Sequence, residues 1–374
     1  MGTLIVGSAI LSWQDGLSER AAAVFDDVLT ARLPGQPGKA HLAALRRIHA
    51  RPSTAWPASQ LDADAVRAEL GPWQAATNPL PAARVELGRR LFDDPILSAS
   101  GQISCQNCHH PELGWGDGLS RSVGHGRARG MRNAPALFNA AHRRSIGWDG
   151  HAHDLADQLR RAMTDPGEMG GQPLAAVLAR LNADAGYRQR FAAAFGDGPI
   201  TGARLDDALI VFLTTLERPT PLDRFLTGDR SRLTDQQVWG MHLFRTKGRC
   251  MNCHAGPLLS DERFHNLGLS FFKQPAEDLG RYRATGNPED AGRFRTPSLR
   301  HIARTAPYMH NGMFKDLRSV VVFYTQGGGE TRVRNDREAA DPLYPFVMRK
   351  AALLQPVALS AAEIDAVTAF LAAL

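Results

Sequence analysis

Cys105-Gln-Asn-Cys108-His109 and Cys250-Met-Asn-Cys253-His254 decide the fold of this 374-residue chain. Both stretches follow one pattern, C-x-x-C-H, and together they use every cysteine in the sequence. With 4 Cys and 13 His scattered at random, the pattern would arise roughly 0.001 times. In C-x-x-C-H two thiols can add across the vinyl groups of a haem while the adjacent histidine becomes the proximal iron ligand. Other uses of paired cysteines fit less well. A four-cysteine zinc site needs no histidine after each pair, and its pairs usually lie closer than the 145 residues separating Cys105 from Cys250. A thioredoxin-type pair occurs once, at the start of a helix after a strand. Disulfides within C-x-x-C would be strained and would close loops too short to help a core of this size. The motifs therefore predict two covalent c-type haems, one on Cys105, Cys108 and His109, the other on Cys250, Cys253 and His254.

Haem of this kind is normally assembled on the outer side of the bacterial cytoplasmic membrane, so the expected location is the periplasm. The lack of any further cysteine fits an oxidising compartment. Net charge is +6, from 44 basic and 38 acidic residues, with the arginines spread along the chain. A nucleic-acid surface would gather them into a stripe with interleaved aromatics, and none is present; a mildly basic surface suits steering of an acidic protein or donor, or is simply solvated. No apolar run approaches the roughly 18 residues needed to cross a bilayer. The stretch Leu4-Ile-Val-Gly-Ser-Ala-Ile-Leu11 lacks a basic n-region and a clear cleavage site. It reads either as the stub of a clipped or mis-started export signal or as a short buried segment.

The length predicts two domains plus an extension. Residues 1–80 are punctuated by Pro34, Pro37, Pro52, Pro57, Pro72 and Pro79. They read as an extension wrapped on the surface, with helical pieces at 18–31 and 61–70. An N-terminal haem domain over 81–220 opens with a helix at 82–92, carries the first motif, then a glycine-rich loop. Helical spacing resumes at 155–163, 173–182, 187–195 and 205–216. Pro219-Thr-Pro221 marks the boundary. The C-terminal haem domain, 221–374, repeats the plan: a helix at 234–244, the second motif, a long loop, and helices at 317–324 and 360–371. Ser360 with Glu363 forms a capping box for the last. Strand signals are few, so the fold class is mainly α.

The chain resembles the bacterial di-haem cytochrome c peroxidase and MauG family over roughly residues 81–374. The resemblance is carried by Leu87-Gly-Arg-Arg-Leu-Phe92, the run from Leu97 to His109, Ser122-Val-Gly-His-Gly126, Arg132-Asn-Ala-Pro135, Trp148-Asp-Gly150 and Gly167-Glu-Met169. Arg295-Thr-Pro-Ser-Leu-Arg300 and Thr305-Ala-Pro-Tyr-Met-His-Asn-Gly312 extend it into the second half. It implies two cytochrome c-like domains, with peroxide reacting at the N-terminal haem and the C-terminal haem storing or relaying electrons. By position it implies that His109 is proximal to the peroxidatic haem, His254 to the electron-transfer haem, and that His125 is a removable distal ligand. It also implies distal-pocket roles for Gln158 and Glu168 and a place between the haems for Trp148. Asn133, with the carbonyls of Thr305 and Pro307, matches an interdomain calcium site, whose oxygen donors suit a hard cation.

Each assignment has a plainer alternative. Glu168 could serve peroxide cleavage as base and then acid, its pKa set by an apolar surround, or be a surface glutamate after Pro166-Gly167. Gln158 could orient a distal water or sit on a polar helix face. Trp148 could carry electrons or be core packing, and His125 could be a solvent-facing loop residue. The remaining histidines, His151 among them, read as surface or structural, except that His310 sits near the second haem. Counting from Thr305-Ala-Pro-Tyr308 to the family's methionine ligand lands on Tyr324, as in MauG. Phenolate is hard and favours ferric or higher states, whereas thioether favours ferrous iron. Met309, Met313 and Met348 are the competing ligands.

The expected function is a peroxidase that reduces hydrogen peroxide with electrons from a small periplasmic donor protein. The alternatives are a MauG-like oxidase, using peroxide and a high-valent di-haem state to modify a protein substrate, and a plain di-haem electron carrier. A homodimer is compatible with the sequence.

Overall fold

The computed structural model describes residues 37–74 and 79–374. The helix expected at 18–31 and the apolar stretch at 4–11 lie outside the described residues. Helices dominate, and the strands among the described residues are the short antiparallel pair β1 (Phe264–Asn266) and β2 (Arg293–Arg295).

Two helix crossings organise the molecule. In the first half, α2 (Ala82–Asp93) crosses α6 (Gly202–Thr214), with α3 (Leu155–Thr164), α4 (Leu174–Ala183) and α5 (Ala185–Phe195) around them. In the second, α8 (Asp235–Arg245) crosses α10 (Ala361–Leu371), with α9 (Leu317–Thr325) alongside. Each crossing is made possible by one glycine. A Cβ on Gly88 would lie 1.9 Å from the Ala208 carbonyl oxygen, and a Cβ on Gly240 would lie 1.9 Å from that of Ala366. The two halves also have their own cores. Leu87, Leu91, Phe92, Leu205, Leu209 and Phe212 are buried together in the first. Val238, Phe244, Val367 and Phe370 are buried together in the second.

Helix starts follow their capping residues. Asp154 accepts from the Asp157 amide, and Thr234–Gln237 and Ser360–Glu363 form reciprocal capping boxes. At the boundary, Thr220–Asp223 caps α7 (Pro221–Leu226), and Asp223 also receives Arg300 Nη1 and Nη2 at 2.7 and 2.9 Å. One carboxylate thus serves as helix cap and as a buried tie within the second half.

The described part of the extension departs from the expectation. Residues 61–70 form no helix; Asp62 and Glu69 are instead spent on α8 and the second motif. Glu69 pairs with the fully buried Arg245, and Asp62 accepts from Asn252 Nδ2 at 2.8 Å while its amide donates to Asn252 Oδ1 at 3.0 Å. The helix of this region lies earlier, at α1 (Lys39–His49), packed against α8. Leu45, Ile48, Trp56 and Leu70 belong to the second core, so this segment is part of that core and not a surface wrap.

Candidate active site

Both C-x-x-C-H stretches fold into one tight turn, Cys105–Asn107 and Cys250–Asn252, in which the histidine amide donates to the first cysteine carbonyl at 3.0 and 2.9 Å. Each imidazole is then fixed the same way. His109 Nδ1 donates to the Trp115 carbonyl and His254 Nδ1 to the Leu259 carbonyl, both at 2.9 Å. Trp115 and Leu259 present those carbonyls from left-handed backbone, φ 61° and 52°. Such backbone is uncommon for large side chains. Locking Nδ1 sets the tautomer and leaves Nε2 as the metal-binding atom. Burial pushes the thiols up, to about 12 for Cys105, Cys250 and Cys253 and about 11 for Cys108. These are not the low-pKa thiolates of a redox pair.

His254, Cys250 and Cys253 open onto a cavity whose walls include Trp148, Met309, His310, Tyr324 and the arginines Arg143, Arg249 and Arg295. Burial raises the Tyr324 phenol above its ordinary value, with the neighbouring Cys253 and Cys250 adding to it. Of the competing methionines only Met309 shares this wall; Met313 and Met348 are each 51% exposed.

The cavity fits a haem by the groups it leaves unpaired. His310 Nε2 and Arg143 Nε are buried without a hydrogen-bond partner. Arg143 Nη2 donates to the carbonyls of Ala136 and Phe138, yet burial and the nearby Arg295 push the guanidinium down to about 9. A buried cation of this kind calls for a counter-charge, which the two carboxylates of a haem would supply. Trp148 Nε1 donates to the Asn133 carbonyl at 2.9 Å, and the Trp148 carbonyl accepts from the Arg295 amide at 2.7 Å. The tryptophan is therefore tied to both halves. Asn133 Nδ2 donates to the Leu119 carbonyl at 2.7 Å, leaving Oδ1 as its free side-chain acceptor, and Thr305 and Pro307 border the same cavity.

The first motif has different company. Burial and the nearby Asp165 raise Glu168, while His151 pulls it down. The His125 amide donates to the Glu168 carbonyl at 3.1 Å, and a Cβ on Gly170 would sit 3.2 Å from the His125 ring. His125 thus packs on the Glu168 segment instead of standing free in solvent. Gln158 Oε1 lies 2.9 Å from His151 Nε2, and His151 Nδ1 lies 2.5 Å from Asp149. Asp149 meets Arg132 at 2.6 Å, and Arg132 grips Asp278 through Nε and Nη2 at 2.6 and 2.9 Å.

His151, which the sequence reads as surface or structural, is partly exposed and links Gln158 to Asp149. The link joins the turn Trp148-Asp-Gly-His151 to the first turn of the helix that Asp154 caps, and a turn between two histidines gives no period to read. Arg143 and Arg295 were missed because a buried arginine has no sequence signature. A third cluster, Cys253, Asp261 and His265, brings ligand atoms within 4.8 Å of one another. Once its sulfur is in a thioether, Cys253 is no thiolate ligand, so the cluster belongs to the haem wall.

The family described as "Di-haem cytochrome c peroxidase" matches residues 82–231. The methylamine utilization protein MauG of Methylorubrum extorquens is 39% identical over 279 residues, 72% of this chain and 78% of that protein. The cytochrome c551 peroxidase of Nitrosomonas europaea is 36% identical over 252 residues, 66% of this chain and 74% of that one. Among solved structures, a MauG-like protein associated with microbial copper homeostasis aligns with a TM-score of 0.69 at 32% identity, covering 84% of this chain and 95% of that one.

Proposed function

The chain belongs to the di-haem cytochrome c peroxidase family, an oxidoreductase acting on hydrogen peroxide, and we propose that it reduces peroxide at the N-terminal haem with electrons relayed through the C-terminal haem. The observation that carries this reading is the group beside the first motif: Glu168, raised by burial, with Gln158 hydrogen-bonded to His151. Two electrons and two protons convert one peroxide into two waters. The bound haem supplies the iron that holds peroxide and passes the electrons. Glu168 would take the proton from one peroxide oxygen and return it to the leaving oxygen, a double role that suits a carboxyl raised by burial. Gln158 would hold the oxygens in line, His125 would be the removable distal ligand, and Trp148 would carry charge between the halves.

The donor is a small periplasmic protein, met by the mildly basic surface. One calcium ion is assigned to Asn133 Oδ1 and the carbonyls of Thr305 and Pro307, with water completing the shell. Steady-state turnover of peroxide with a reduced cytochrome donor tests the function, and a haemochrome assay giving one haem per chain would defeat it.

The second reading, the MauG-like oxidation of a partner protein, turns on which side chain meets the second haem, since Tyr324 and Met309 both line that cavity. The expected ferric wild-type spectrum lacks a thioether–iron charge-transfer band. A band that is present and survives in Tyr324→Phe would assign the ligand to Met309 and remove that second reading.

A further inference from the structure

The cluster beside Glu168 contains a switch that the acid–base chemistry alone does not use. His151 Nδ1 faces Asp149 Oδ1 at 2.5 Å, and an ionised carboxylate can only accept, so Nδ1 carries a proton. The state of the other ring nitrogen then decides the orientation of Gln158. As an imidazolium, His151 donates from Nε2 to Gln158 Oε1 at 2.9 Å, and the amide nitrogen of Gln158 is left to donate elsewhere. As a neutral ring, Nε2 becomes an acceptor and the amide must turn over, leaving its carbonyl free instead.

We propose that His151 is a positioning residue for peroxide cleavage: as an imidazolium held between Asp149 and Gln158, it keeps the Gln158 amide N–H groups available to peroxide. The inference deepens the peroxidase reading and rests on it. The surroundings favour the charged ring. Its hydrogen bond to Asp149 raises His151 above the ordinary imidazole value, against desolvation and the charge of Arg132. Asp149 is itself held low by His151 and Arg132 despite burial. Arg281 Nη1 reaches the Asp149 carbonyl at 3.4 Å and is a permanent cation. Glu168 and His125 are the other titratable groups on this face, Glu168 feeling His151 directly and His125 packed on its segment. Loss of the His151 proton turns the Gln158 amide over and withdraws its N–H groups from peroxide.

The test uses the di-haem holoprotein as wild type, His151→Arg and His151→Leu. The rate constant for peroxide with the enzyme is followed from pH 5 to 9. Fluoride affinity of the ferric N-terminal haem, taken with the second haem reduced so that His125 has left the iron, gives a readout without turnover. Wild type should lose rate as pH rises through the raised His151 value. His151→Arg keeps a fixed cation and donors, so it should retain the neutral-pH rate and lose the alkaline fall. His151→Leu should fall at neutral pH by roughly 100-fold, the scale of one lost donor to a reacting group. Fluoride, an acceptor, should bind roughly tenfold more weakly to the Leu variant, about the worth of one charge-assisted hydrogen bond. An alkaline fall that persists in His151→Arg would assign it to His125 and overturn the proposal. So would unchanged fluoride affinity in His151→Leu. A wild type that ignores peroxide would defeat the peroxidase reading, and the fluoride arm, which needs no turnover, would still decide His151.

Discussion

The two C-x-x-C-H sites share a frame and differ in their surroundings. In both, a glycine lets two helices cross at carbonyl contact, and a left-handed residue after the motif locks the proximal imidazole through Nδ1. Beyond that frame they diverge. The first motif is accompanied by Glu168, raised by burial, and by His151, raised by its bond to Asp149 and hydrogen-bonded to Gln158. The second cavity is walled mainly by aromatics, aliphatics and three arginines, with His265 held by Asp261, and the histidine among its unpaired groups, His310, is pushed down to about 4 by burial. A site that cleaves peroxide must move protons in step with electrons. A site that stores or relays charge does better without proton chemistry, because each coupled proton adds a barrier. Duplicating one frame and varying its walls yields both.

The largest expected effect tests the proton-exchanging wall. Glu168→Gln keeps shape and hydrogen-bonding capacity but removes the carboxylate, and loss of a general acid–base group commonly lowers rate by about 100- to 10,000-fold. Stopped-flow mixing with peroxide should show that fall with both haems still ligated, as judged from the ferric spectrum. Tyr324→Phe, in the other site, should change the spectrum of the second haem far more than the initial reaction with peroxide. If the two variants slowed that reaction equally, the division of labour between the sites would collapse.

How much of this was legible in the chain depends on the kind of signal. The haem motifs, the α2, α8 and α10 helices and the Ser360–Glu363 cap are local patterns, and the structure places them within a residue or two of expectation. The segment 61–70 misled because its apolar and acidic residues read as a helix face, whereas Asp62 and Glu69 are committed to partners nearly two hundred positions away. His151, Arg143 and the Gly88 and Gly240 contacts share that character. Their meaning lies in what the fold brings beside them, and no periodicity announces it. Tyr324 was reached only through the family spacing and now lies in the same cavity as His254.

The shared frame makes a second, smaller prediction. Gly88→Ala and Gly240→Ala each put a Cβ 1.9 Å from a helix carbonyl, so the helices must separate. Overpacking of this kind typically costs about 1–3 kcal/mol. The two substitutions should destabilise by similar amounts in denaturant melts followed by helical circular dichroism. A large loss at one glycine and none at the other would mean that the crossings are not equivalent.

The smallest effect separates the halves by pH. Leu45, Ile48, Trp56 and Leu70 of the segment 37–74 enter the second core, while Trp73 reaches the first half at Glu217 and His142. The core contact buries His49 against His242, Nε2 to Nδ1 at 3.3 Å, with the Trp56 ring centroid 4.8 Å away. Burial, then His242 and Arg245, hold the folded His49 well below the ordinary imidazole value. The sign follows from proton counting: below about pH 6.5 the unfolded chain binds a proton that the folded site refuses, so stability falls as pH drops from 6.5 toward the folded value. For one such group the slope reaches about 1.4 kcal/mol per pH unit. His49→Phe keeps an aromatic ring in the core and removes that proton, so its melts should show a pH dependence shallower by up to that amount. Some slope should remain, because His310 is also depressed by burial. If hydrogen exchange at pH 5.5 showed amides of α2 and α6 loosening as much as those of α1 and α8, the acid sensitivity would belong to the whole molecule, and its assignment to the core that the extension enters would fail.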